Sequence, residues 1–345
     1  MKIAIVGAGF YGCYFAKHLS KNHKVYIFEK NSSLIMESGR NNQYRLHQGF
    51  HYPRSQKTIK QTKEGYKKFI QEFKKYIYFP KHNFYCIHRN SKVSFFNYLK
   101  ILKKNKLSFN IVNKDKIPFL RKDLIEGAIN TREGVILVDK LIKQIIKDVK
   151  KKCIVKLNSK VTKINNDESF VQTQNKKFFF DKIINTTYTD PNLGLKKKKF
   201  NLKYELAAII IPGLKIRNIP GITIMDGNFV SLYPRNKNNF SLTSVKYTPV
   251  KKFKSLKNID LYLSEISKKK NIIKRNILKE IQKFIYLKKI NNKNLKIEIA
   301  PKVKIKDDKG DVRTTEVISE NNVIGVLCGK LDAAPLIYNK ILKLI

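Results

Sequence analysis

Gly7-Ala8-Gly9-Phe10-Tyr11-Gly12 carries the spacing Gly-x-Gly-x-x-Gly, and an acid, Glu29, stands 22 positions after the first glycine. Gly7 would allow a tight turn, Gly9 a close backbone approach to a pyrophosphate, and Gly12 close packing of a helix on a strand. A helix that starts at such a turn offers unpaired N–H groups and a partial positive charge to phosphates. Glu29 can accept hydrogen bonds from both hydroxyls of a ribose. The chemistry needs a buried strand before the turn, a helix after it and a second strand that ends at the acid. Lys2-Ile3-Ala4-Ile5-Val6 and Val25-Tyr26-Ile27-Phe28-Glu29 supply the strands, with a helical stretch between them. The pattern predicts a βαβ unit gripping a dinucleotide, with Gly7, Ala8, Gly9, Phe10, Tyr11, Gly12, Glu29 and Lys30 against it.

At 345 residues the chain can bury a substantial core, and two lobes are expected. The pattern begins at the first Met, so no signal peptide is expected, and no run reaches the ~18 apolar residues of a membrane span. Cys13, Cys86, Cys153 and Cys328 are scattered, without a C-x-x-C pair or metal-like spacing. Cys13, on the expected helix, and Cys328, in an apolar strand, read as small core residues; no metal site is expected, and a reduced cytoplasm fits. The net charge of +46 arises from 62 Lys and 10 Arg against 26 acids. Lysines are spread over nearly every segment and form no stripe with interleaved aromatics, so no specific nucleic-acid partner is expected. Runs such as Lys196–Lys199 and Lys268–Lys270 read as solvated faces. Such a field would attract anionic substrates and, weakly, anionic membrane surfaces. Arg offers a planar two-pronged donor that Lys cannot match. Arg40, Arg45 and Arg54 cluster, and Arg235 and Arg313 precede or follow strand-like segments. A surface role is equally open for each.

The elements that would position these groups form an interleaved chain. A polar, loop-like stretch from Asn31 to Arg54 precedes a helix over about 55–76. A strand follows over 84–88, then a short helix near 95–103 and a strand over 109–112. Two strands around a turn are expected within 126–137, then a helix from Val138 to Lys150. Strand 155–157, a hairpin through 161–174 and the apolar run Phe178–Ile184 read as a return to the nucleotide lobe, ending at Thr186. Residues 200–250 are strand-rich, a long helix in one or two pieces covers about 259–286, and strand 295–299 follows. Val323 to Gly329 is a buried strand feeding a last helix from about Asp332.

This layout resembles the flavoprotein family of D-amino acid oxidase, glycine oxidase and L-2-hydroxyglutarate oxidase. The resemblance rests on the amino-terminal fingerprint with Glu29, on Arg45-Leu46-His47-Gln48-Gly49-Phe50-His51-Tyr52, on Ala128–Val135 before a helix, and on the closing strand-Gly329-Lys330-helix. The second run is similar to the loop that family runs past its flavin, in the hydroxyglutarate oxidase branch. Residues 196–304 match in layout only. The resemblance implies an α/β fold with a Rossmann-like FAD-binding lobe, residues 1–54, 139–195 and 305–345. It also implies an interleaved α+β substrate lobe, residues 55–138 and 196–304. FAD is the implied cofactor, and Arg40, Arg45, Leu46, Val161, Thr186, Gly329, Lys330, Leu331 and Asp332 join the nucleotide contacts. No Cys or His stands in an attachment motif, so non-covalent flavin is expected. A helix dipole or a cation such as Lys330 would stabilise negative charge on reduced flavin. Lys330 could equally be a surface lysine.

A flavin accepts hydride from a C–H next to nitrogen or oxygen, and an alcohol also needs a base on its hydroxyl. His47 and His51, two of six histidines, are the candidate bases. The alternatives are a packed core group for His47 and a loop residue for His51. Arg54 or Arg235 could clamp a substrate carboxylate, Tyr233 could orient substrate, Tyr247 is a weaker candidate, and Arg313 could line the site or the pyrophosphate. The leading expectation is an FAD-dependent oxidase or dehydrogenase of a small amine, 2-hydroxy acid or sugar-linked substrate. The electron acceptor is left open. A redox-neutral flavoenzyme such as a sugar-nucleotide mutase, a non-catalytic dinucleotide-binding or nucleic-acid-binding protein, and an NAD-dependent dehydrogenase are the alternatives.

Overall fold

The computed structural model describes residues 1–174, 176–253, 259–287, 290, 294–306 and 312–345. A six-stranded sheet runs in the order Glu316–Glu320, Val323–Leu327, Lys182–Asn185, Lys2–Val6, Lys24–Phe28, Ile154–Lys156. Every neighbouring pair is parallel except the first. Both faces are covered, and this explains the unbroken apolar run of the first strand. Ile3 and Ile5 enter a core shared with the helices Phe10–Leu19, Val138–Lys152 and Ala334–Leu342. Ala4 and Val6 point the other way, into a core with Ile164, Val171 and Phe180 under a three-stranded antiparallel sheet. Helix Val138–Lys152 buries Val138, Leu141, Ile142, Ile145 and Val149, the one-sided spacing that makes it dock on the sheet.

The second unit is a nine-stranded sheet. Its centre pairs Asn83–His88 with Gly221–Met225 in parallel and with Ile125–Asn130 antiparallel. Val230–Pro234 and Phe240–Ser244 extend it, and Leu202–Pro212 and Leu295–Ile305 pair over their whole lengths. Helix Ile259–Gln282 covers this sheet through Ile277, Leu278 and Ile281. A small sheet of Arg45–Leu46, Gly134–Ile136 and Ile77–Tyr78 lies between these units in the chain. Among the described residues, no helix is long and apolar enough to cross a membrane.

Several expected elements differ. Residues 126–137 do not make a hairpin: Ile125–Asn130 joins the nine-stranded sheet and Gly134–Ile136 the small one. The segment between them is therefore drawn inward, and Thr131 and Glu133 are buried. The run 178–184 splits into Lys177–Phe179 and Lys182–Asn185 in different sheets. The long helix is one piece ending at Gln282, and the strand expected over 295–299 continues to Ile305 because Leu202–Pro212 pairs it throughout. Edge strand Glu316–Glu320 carries no strong apolar alternation and was not expected. The last helix starts with a 3-10 turn, Leu331–Ala333. Residues 307–311 of the expected nucleotide lobe lie outside the described residues.

Candidate active site

The glycine turn has the geometry of a phosphate cradle. Gly7 takes φ +94°, and a Cβ on Gly12 would lie 2.0 Å from the Gly7 carbonyl oxygen. A Cβ on Gly9 would meet no polypeptide atom within 4 Å. The polypeptide thus fills the space at Gly7 and Gly12 and leaves it open at Gly9, where the helix Phe10–Leu19 begins. Thr186 caps the turn from the neighbouring strand, donating to the Gly7 carbonyl at 2.7 Å. Glu29 is held edge-on to it: Ala8 N–H donates to Oε2 (2.8 Å), and Asn31 donates to Oε1 from its backbone and side chain (2.9 Å each). Phe10 and Tyr11 are buried; the Tyr11 hydroxyl donates to the Lys330 carbonyl and lies 3.0 Å from Thr315 Oγ1, tying the turn to the closing segment. Val161 packs against the aromatic core beside Tyr26 and Phe178. Lys30 pairs with Glu37 at 2.8 Å. Arg40 is exposed, and its carbonyl accepts from the Tyr44 hydroxyl.

The loop after Leu46 converges on the closing segment. His47 N–H donates to Asp332 Oδ2 (3.1 Å), and the His47, His51 and Tyr52 rings lie 5.1–5.7 Å apart. Lys330 Nζ sits 4.2 Å over the Tyr52 ring and donates to Thr62 Oγ1 and the Arg313 carbonyl. Gly329 N–H donates to Thr315 Oγ1 (2.9 Å). Leu331 packs on the nucleotide core, which also takes Leu46. Behind His47 stands Glu133, 0% exposed. Its Oε1 accepts from Gln48 N–H (2.7 Å) and lies 4.0 Å from His47 Nδ1, while its Oε2 accepts from the Tyr85 hydroxyl. His47 Nδ1 itself is buried without a hydrogen-bond partner.

Electrostatics follow from this packing. Burial, reinforced by Arg45, Lys330 and His51, holds the His47 pKa well below the ordinary imidazole value, so the ring is neutral at pH 7. Burial raises the Glu133 carboxyl, against the pull of Arg45. Asp332 is pushed up to about 7 by burial, with Lys330 opposing. Three titratable groups at one place thus have their proton affinities displaced, the pattern expected where proton chemistry is done.

Other expected site residues are placed differently. Arg45 turns its guanidinium into the nine-stranded sheet, away from the glycine turn: Nη1 donates to Thr223 Oγ1 (2.8 Å) and the Tyr85 hydroxyl (3.2 Å), Nη2 to Ser231 Oγ (2.8 Å). Its Nε is buried without a partner. Tyr233 is wholly buried, stacked 4.0 Å under Arg45, with its hydroxyl donating to the Gly134 carbonyl. Alternation along Val230–Pro234 is the reason, since its inner residues must pack against the small sheet. Arg235 is engaged by Glu298 (2.8 Å) and the Tyr44 ring and hydroxyl, so it joins two segments. Arg54 pairs with Asp226 at the surface end of its loop. Tyr247 lies in the turn after Phe240–Ser244, against the core of the nine-stranded sheet. The Arg313 N–H donates to Thr58 Oγ1 at 3.1 Å, and its side chain lines a small cavity with Tyr188 and Lys304. Sequence reasoning passed over Glu133, Tyr85, Thr223 and Ser231. Glu133 sits in a polar inter-strand segment that reads as an exposed turn, and only its burial marks it.

Comparison with known proteins gives the family and the fold. A family model described as FAD dependent oxidoreductase, DAO, matches residues 2–255. The FAD-dependent monooxygenase FPY4 of Fusarium mangiferae is 25% identical over 354 residues, spanning 99% of this chain and 90% of that protein. Glycine oxidase from Geobacillus kaustophilus superposes with a TM-score of 0.72 at 12% identity, covering 99% of this chain and 93% of that one. L-alpha-glycerophosphate oxidase from Mycoplasma pneumoniae, solved with FAD bound, gives 0.73 at 18% identity, covering 99% and 94%. At such identities the two structures speak for the fold. The open space at Gly9, the capped turn and the anchored acid all fit an FAD pyrophosphate and ribose. The chain belongs to the FAD dependent oxidoreductase (DAO) family, and it is an enzyme whose cofactor is FAD.

Proposed function

We propose that the protein oxidises a small amine, 2-hydroxy acid or sugar-linked substrate, and that this substrate carries an anionic group. FAD, when bound, supplies the two-electron oxidant. The turn Gly7–Gly12 with Thr186 would hold its pyrophosphate, Glu29 its ribose, and Lys330 the negative edge of the reduced ring. The observation that carries the reading is the neutral, buried His47 imidazole beside Glu133 and Asp332. A neutral imidazole can take a hydroxyl proton, and His51 next to it is the second candidate. The cationic surroundings, with Arg45 and Lys330 both raising the local potential at His47, favour an anion.

The test is the absorbance spectrum of the purified protein during anaerobic addition of glycolate, lactate, 2-hydroxyglutarate, glycine and proline. Bleaching of the flavin bands by one of these names the substrate class, and oxygen uptake on readmission of air identifies oxygen as the acceptor. Flavin that none of them bleaches refutes the reading. A hydroxylating reading is favoured by the full-length similarity to FPY4. Flavin bleached by NADH or NADPH alone, with oxygen from labelled dioxygen entering the product, would establish that reading instead.

A further inference from the structure

Glu133 is an expensive residue to bury. A carboxylate with no exposure that served only stability would take a guanidinium face to face, the strongest pairing available to it. Arg45 is close enough to pull on the Glu133 proton, yet its Nη groups go to Thr223, Ser231 and the Tyr85 hydroxyl. Arg45 reaches Glu133 only through Tyr85, which donates to Oε2. The other oxygen, Oε1, is fixed by Gln48 N–H and faces His47 Nδ1 at 4.0 Å. His47 Nδ1 has no other acceptor, and the backbone of the same residue is pinned to Asp332. A ring rotation that closes roughly 1 Å brings Nδ1 into hydrogen-bond range of Oε1.

We infer that Glu133 is a positioning residue that acts through His47, accepting the Nδ1 proton when Nε2 takes a proton from the substrate hydroxyl. This rests on the reading of His47 as the base. The balance is complete. The substrate O–H bond breaks and its proton goes to Nε2, while the Nδ1–H proton moves to Oε1. The oxygen electron pair forms the carbonyl as the C–H hydride leaves to the flavin, the oxidant the family supplies. His47 returns to its other neutral tautomer, and no charged imidazolium persists beside Arg45 and Lys330. The raised proton affinity of Glu133 and the lowered one of His47 favour this direction of transfer. The charged or titratable groups that act on the pair include Arg45, His51, Lys330 and Asp332, and the buried or half-buried hydroxyls of Tyr66, Tyr85, Tyr98 and Tyr233.

The relay requires a resting His47 protonated on Nδ1 and bare on Nε2. Nitrogen NMR of the holoenzyme labelled at histidine reads this tautomer directly, with His47→Gln assigning the signal among six histidines. An Nε2–H tautomer would overturn the relay whatever the variants do. Rapid anaerobic bleaching by the best of glycolate, lactate and 2-hydroxyglutarate is then compared in wild type, Glu133→Gln, His47→Gln and the double variant. Glu133→Gln is expected to slow bleaching at least ~100-fold, the lower end of the scale for a single proton-transfer group, and to add nothing in the His47→Gln background. If Glu133→Gln does not fold, Glu133→Asp, which keeps the charge and withdraws the oxygen, is expected to slow bleaching likewise. A slow His47→Gln with a fast Glu133→Gln, or full additivity of the two, would refute the relay alone. A fast His47→Gln would remove the base reading and the relay together.

Discussion

Gly9 and Gly12 make opposite demands on a substituted side chain, and the contrast separates cofactor binding from folding. A Cβ at Gly12 would stand 2.0 Å from the Gly7 carbonyl oxygen and 2.7 Å from Thr186 Oγ1. Neither neighbour can swing away, so Gly12→Ala should cost the folded protein ~1–3 kcal/mol or more by overpacking. Gly9 has φ −68° and ψ −174°, open to any residue, and nothing within 4 Å of a Cβ. Gly9→Leu should leave the flavin-free protein within about 0.5 kcal/mol of wild type, since surface-like substitutions away from packed groups fall in that range. Its side chain would occupy the space we assign to the pyrophosphate, and a loss of at least ~100-fold in affinity is expected, about 2.7 kcal/mol. At a flavin concentration of ~100 times the wild-type Kd, ligand stabilises wild type by about 2.7 kcal/mol and the variant by only about 0.4. With ~2.1 cal/mol/K of unfolding entropy per residue, the flavin-induced rise in Tm should shrink by roughly 3 °C. Thermal melts of deflavinated protein with and without FAD, beside a fluorescence titration, measure both quantities. A Gly9→Leu protein that purifies yellow with stoichiometric flavin would refute the placement of the cofactor. So would flavin-free Gly9→Leu melting as low as Gly12→Ala.

Asp332, whose carboxyl is pushed up to about 7, keeps in the folded state a proton that the unfolded chain releases near 3.8. Its stabilising contribution is present at acid pH and lost as pH rises toward 7, so Asp332→Asn should gain Tm relative to wild type at pH 8 compared with pH 5. Parallel Tm–pH curves would contradict this. His47 has the opposite sign. The unfolded ring takes a proton below about 6.5 that the folded one refuses. His47→Gln should therefore flatten the loss of stability between pH 6.5 and 5, and an unchanged acid limb in urea titrations would count against a buried neutral ring. Arg45→Met would take the guanidinium donors from Thr223, Ser231 and Tyr85 and remove the cation that pulls on Glu133. A fall of ~2–4 kcal/mol in unfolding free energy is expected from denaturant midpoints, and an unchanged midpoint would show that the network is not satisfied as drawn.

The local sequence alone determined the first βαβ unit of the nucleotide half. The glycine spacing, the unbroken apolar strand and the distant acid are short-range constraints on backbone and phosphate geometry, and a single strand-turn-helix expresses them. The turn and the strands flanking it follow from that pattern, and the helix Val138–Lys152 follows from its own one-sided apolar spacing. Tertiary structure decided the rest, because a side chain's partner was remote in sequence. Arg45 reads as a loop cation beside a phosphate, but Thr223 and Ser231, 178 and 186 residues away, turn it into the other sheet. Tyr233 and Arg235 read as substrate groups, but alternation on a strand buried against the small sheet commits them to Gly134, Glu298 and Tyr44. Glu133 lies in the Ala128–Val135 run, but nothing in that run marks its side chain as chemical. It is a site residue because the strands on either side of it join different sheets, which draws the segment between them into the interior and sets its carboxylate behind His47.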